Sequence, residues 1–141
     1  MRDRFTHALA AGQGLYFFAT GVWPLLSMRT FEAVTGPKAD RWLVKTVGVL
    51  VGVIGAVLAM AGARRRVEPE AALLAAGSAA GLAAIDTVYA TKGRISKIYL
   101  LDAVVEVALI AAWVVAARGV SRAGGASRRS TRPARRRAGR A

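Results

Sequence analysis

Between Ile98 and Ala117 the chain runs for twenty almost wholly apolar residues that nonetheless contain two acids, Asp102 and Glu106. Twenty helical residues, at about 1.5 Å each, match a bilayer core of about 30 Å. A spacing of four places both carboxyls on one helix face, a turn apart. A charge within a span is costly, so that face should meet protein or trapped water rather than lipid. A lone helix cannot supply that environment, so the stretch requires neighbours.

Three further runs supply them. Ala8 to Met28 is 21 residues without a charge, Trp42 to Ala63 holds only Lys45, and Ala71 to Ala90 holds only Asp86. A secretory signal would have a shorter apolar core ending in small residues, and Trp23 and Pro24 stand there instead. The connections are short: Arg29 to Arg41, with a Thr35-Gly36-Pro37 turn signal, then Arg64 to Glu70, and Thr91 to Lys97. Thr30 can cap one helical turn in the first loop, Asp40 is a candidate cap for the second span, and Glu68 and Glu70 flank Pro69 at a helix start. The expected fold is all-α: a polytopic membrane protein built as an antiparallel four-helix transmembrane bundle over residues 1–117, with spans near 8–28, 42–63, 71–90 and 98–117. Gly48 and Gly52, and again Gly77 and Gly81, are GxxxG pairs of the kind that let helix backbones approach closely.

The net charge of +13 is concentrated rather than spread. Nine of the 21 Lys and Arg lie in residues 118–141, which contain no acid, no aromatic residue and one proline. Such a segment cannot bury a core and reads as a disordered basic tail. Its expected partner is the anionic head-group surface, with Arg64, Arg65, Arg66, Arg118 and Arg122 nearest the spans, each surface-proximal base contributing about 1 kcal/mol. Without aromatics for stacking or a fold for base readout, nucleic acid is the weaker partner. Four spans put both termini on one side. With the termini inside, that side holds fourteen bases and the other six, namely Arg29, Lys38, Arg41, Lys92, Arg94 and Lys97. The positive-inside rule then gives an N-in, C-in multi-pass protein of an inner (plasma) membrane, with cytoplasmic termini.

This orientation sets the polar residues at comparable depth. Lys45 follows the outer start of the second span, Asp86 precedes the outer end of the third, and Asp102 follows the outer start of the fourth. From the helical rise, each lies roughly 5–7 Å inside the outer boundary, with Glu106 one turn deeper. Tyr99, Asp102 and Glu106 form one stripe, while Gln13, Thr20 and Pro24 form a weaker one on the first span. The candidate ligand-binding cluster is therefore Lys45, Asp86, Tyr99, Asp102 and Glu106. A binding site predicts open access to these carboxyls; a structural lock predicts closed salt bridges to Lys45 or a loop base. No nucleophile elbow, P-loop, dinucleotide fingerprint or HExxH is present, so no catalytic residue and no cofactor is assigned. With no cysteine and one histidine, His7, no metal site is assigned either.

The opening half, GLYFFATGVWPLL followed by a polar loop and WLVKTVGVLVGVIG, resembles the DoxX-like group of small bacterial four-helix membrane proteins in layout across residues 8–117. That resemblance implies a four-helix membrane bundle, some of whose relatives are linked to quinone-coupled or redox-partner complexes. It carries no site residue over. The small multidrug transporters share the size and span count, but their essential glutamate lies in the first span, and Ala8 to Met28 has no acid. The expected role is a small-ligand-binding or membrane-complex accessory protein, with another membrane protein or a second copy of the chain as partner. A small proton- or cation-coupled transporter, and an intramembrane carboxylate-using isomerase or quinone-linked redox subunit, are the alternatives.

Overall fold

The computed structural model describes residues 2–130, with side chains described for 3–118. Five helices follow one another: α1 (Arg2–Leu26), α2 (Met28–Thr35), α3 (Arg41–Ala63), α4 (Pro69–Thr91) and α5 (Tyr99–Ser130). Three of them, α3, α4 and α5 as far as Arg118, are long and apolar enough to cross a membrane. α1 has the length, but Gln13, Thr20 and its polar N-terminal turns dilute its apolarity. Large apolar side chains face outward along the helices, among them Leu15, Leu50, Leu73, Leu101 and Val115. The interior is instead rich in small residues: Ala10, Ala75, Ala79, Ala83, Ala90 and Ala103. An exterior of this kind suits lipid, where helices associate by close packing of small residues rather than by expelling water.

The closest packing joins α1 to α3. Gly14 and Gly21 repeat at seven residues on α1, and Gly48, Gly55 and Gly62 do so on α3. Such a repeat keeps one seam facing its partner along the whole length. The backbones touch there. A Cβ on Gly21 would lie 2.5 Å from the Gly52 nitrogen, one on Gly48 2.5 Å from the Gly21 oxygen, and one on Gly62 2.5 Å from the Ala11 nitrogen. The pairs run antiparallel, from Ala11 with Gly62 to Gly21 with Gly48.

Local chemistry sets the ends of the helices. Pro24 has no N–H to offer the last turn of α1, and Ser27 ends that helix and starts α2 by accepting the Thr30 N–H at 3.3 Å. The cap is therefore Ser27 rather than Thr30, and α2 has two turns rather than one. Gly36 closes α2 in the left-handed region, φ +83°, as the turn signal predicts. Arg65 at φ 53° and Gly93 at φ 67° end α3 and α4, with Arg66 N–H bonded to the Ala61 carbonyl and Arg94 N–H to the Tyr89 carbonyl. Both are Schellman closures. Asp40 and Glu68 stand at the N-caps of α3 and α4, though neither side chain makes a cap bond, and Pro69 occupies the first turn of α4.

Helix α5 continues past the expected end of the fourth span near Ala117 and runs to Ser130. Pro133 is the first proline after this helix begins, so no proline interrupts it. The rest of the basic tail, 131–141, lies outside the described residues.

Candidate functional site

The buried stripe of α4 is Ala75, Ala79, Ala83, Asp86 and Ala90, so Asp86 takes a position otherwise reserved for small residues. It is 5 % exposed. From α5, Ala103, Glu106 and Trp113 are buried, and Asp102 is half-buried. The Asp86 and Asp102 carboxyls lie at hydrogen-bonding range of each other, and Glu106 lies within electrostatic range of both. The fourth member comes from α1. The Tyr16 phenol donates to Asp102 Oδ1 and lies within electrostatic range of all three acids.

Toward the α3–α4 end of the bundle lies a second polar layer. Gln13 is 1 % exposed; its Nε2 donates to the Ala75 carbonyl at 2.8 Å, and its Oε1 accepts from Trp113 Nε1 at 2.7 Å. One amide thereby ties α1 to both α4 and α5. Along α5, Glu106 falls between the two layers, four residues from Asp102 and seven from Trp113. It is 0 % exposed, and neither of its oxygens has a hydrogen-bond partner; Asp86 Oδ2 also lacks one.

The structure brings Asp86, Asp102 and Glu106 together but leaves Lys45 and Tyr99 out of their bonding. Lys45 is exposed and makes no ion pair among the described residues. It shares a nominal face with Gly48, Gly52 and Gly55, but the antiparallel register sets it level with Pro24, where α1 is ending. Tyr99 instead meets the loop after α2: Lys38 Nζ sits 4.8 Å from the Tyr99 ring centre and donates to the Thr35 carbonyl at 2.9 Å. That loop is well knit. Arg41 donates two bonds to Glu32, at 2.9 and 2.7 Å, and the Lys38 N–H donates to Glu32 as well. Bonding to Arg41 holds the Glu32 carboxyl below its ordinary titration range. Trp23 packs edge-on against Phe31 and donates to Thr30 Oγ1. Among the described residues Glu32–Arg41 is the one salt bridge, so none joins the acid cluster.

Arg64, Arg65 and Arg66 are exposed together in the α3–α4 loop, and Arg118 is exposed on α5. Arg122 lies in the helical backbone beyond the described side chains. Among the described residues no group of three or more acids or histidines is placed to hold a metal ion. An open groove between α4 and α5 is lined by Thr87, Leu100, Ala103, Val104 and Val107, none of them acidic.

Tyr16 is the member that sequence reasoning missed. Its signal was present: Gln13, Tyr16 and Thr20 stand at i, i+3 and i+7, and Tyr16 continues the stripe already visible in Gln13 and Thr20. Comparison of the chain with protein-family models, with curated proteins and with solved structures gives no match. The reading of the site therefore rests on its chemistry.

Proposed function

We propose that this chain is a four-span, N-in, C-in integral membrane protein of the bacterial inner membrane whose acid cluster binds a small positively charged ligand. The observation that supports this most directly is the make-up of the cluster. Three carboxyls and a phenol from three helices converge with no basic partner among the described residues. Buried carboxyls in a span are functional candidates by default, and a cluster without its own cation is complementary to one from outside. The glycine seam supports α1 as the fourth span. α3 is long and apolar enough to cross a bilayer, and α1 lies against it from Gly62 to Gly48. A helix so closely applied to a span shares its depth.

In this topology the cluster lies in the outer half of the membrane, and the exposed Arg64, Arg65 and Arg66, with Arg118, face the anionic inner head groups. The protein acts as a ligand-binding or accessory subunit rather than as an enzyme. Coupled transport of a proton or cation uses the same site.

Thermal unfolding of the full chain in lipid nanodiscs tests this reading. A ligand at 100-fold excess over its dissociation constant stabilises a protein by about 2.7 kcal/mol. Acidification or a small ammonium cation should raise the midpoint saturably in the natural sequence, and Asp102→Asn with Glu106→Gln should abolish that response. Identical pH and cation dependence in the two proteins contradicts it.

A further inference from the structure

We propose that the ligand of this cluster is the proton itself, shared between Asp86 and Asp102 and carried separately by Glu106, with Tyr16 donating to Asp102. This rests on the reading of the cluster as a site for positive charge and decides which charge.

The deciding observation is space. Glu106 presents no surface to a water-sized sphere, and its two oxygens and Asp86 Oδ2 are both buried and unpartnered. A water-sized void touching Glu106 would appear as exposed surface, and there is none. A sodium ion would need several oxygen ligands, and an organic ammonium would need still more room. A proton needs no cavity.

Electrostatics points the same way. The groups that face Glu106 are Asp86 from α4, Asp102 from its own helix and Tyr16 from α1. Among the described residues α3 brings no base to the cluster, since Lys45 is exposed, and Lys38, over the Tyr99 ring, is held by the Thr35 carbonyl. A buried, unpaired carboxylate costs several kcal/mol, and adjacent carboxylates repel. A neutral carboxyl removes the net charge. Glu106 then serves as the inner member of the set, between the Tyr16–Asp102–Asp86 layer and the Gln13–Trp113 layer. A proton passing between Asp86 and Asp102 moves from one carboxyl oxygen to the other, and Tyr16 keeps its own while donating to Asp102 Oδ1.

Infrared titration of the full chain in nanodiscs reads this directly, because a protonated carboxyl has a C=O stretch that a carboxylate lacks. The natural protein should show that band at neutral pH, unchanged by sodium or tetramethylammonium at fixed pH. Glu106→Gln and Asp86→Asn should each remove part of it. Tyr16→Phe should keep the band but change the pH at which it is lost. If the natural protein has no such band at neutral pH, the proposal is overturned. If the band is present but is displaced by either cation, the proton is not the sole ligand; the proposal is again overturned, while the cationic-ligand reading survives.

Discussion

Gly55→Val will separate α1 from α3. A Cβ at Gly55 meets the backbone nitrogen of Phe18 and the carbonyl oxygen of Gly14 at distances no real side chain tolerates. These are main-chain atoms of a packed helix, so no rotamer change relieves the clash and the helices must move apart. Overpacking a core typically costs 1–3 kcal/mol when side chains can yield. With backbone opposed on both sides, the expected loss is more than about 3 kcal/mol, read from denaturant unfolding in mixed micelles. The control is Gly77→Ala, where an added Cβ meets nothing within 4 Å. It should be neutral or slightly stabilising, because glycine in a helix interior costs roughly 0.5–1 kcal/mol relative to alanine.

Gln13→Leu is expected to be the next most damaging change. Leucine matches glutamine closely in size but leaves the Trp113 indole N–H without its partner at 5 % exposure. An unsatisfied buried donor costs about 1–3 kcal/mol. The Ala75 carbonyl also loses the Gln13 bond, but it keeps a contact from Ser78 Oγ at 3.2 Å, so its share is smaller. A loss of roughly 2 kcal/mol is expected in the same unfolding assay. Adding Trp113→Phe should cost less in the Gln13→Leu background than alone, because the orphaned donor is then gone.

These two sites show what the sequence could and could not convey. GxxxG occurs in both α3 and α4, yet only the α3 copy is buried against another backbone. The motif states that close approach is feasible; only the matching repeat of Gly14 and Gly21 on α1 determines where it happens. Helix ends in α3 and α4 were legible to within two residues because loops of charge and proline interrupt apolar runs there. That Asp86, Asp102 and Glu106 come together was legible for a similar reason: a fixed rise per residue converts position along antiparallel helices into relative level. Which other side chains share that level was not. Lys45 is not brought to the acids: it is exposed beside Pro24 at the end of α1, whereas the cluster is met by Tyr16, eight residues earlier on that helix. Tyr16 sits in an uncharged run where an aromatic reads as packing, and its hydroxyl matters only once Asp102 is opposite. The continuation of α5 was hidden because composition reports the lack of a core, not whether the backbone continues as helix past the apolar run.

The account of the acid cluster depends on Tyr16 and the acids of α4 and α5 acting as one unit, and a double-mutant cycle on Tyr16→Phe and Asp102→Asn measures that. Groups in one hydrogen-bonded network couple by roughly 0.5–3 kcal/mol, whereas distant sites add to within about 0.3–0.5 kcal/mol. Unfolding of the natural chain, both single variants and the double variant in nanodiscs should give a coupling of at least about 1 kcal/mol. Effects that simply add would place Tyr16 and Asp102 apart and contradict the cluster.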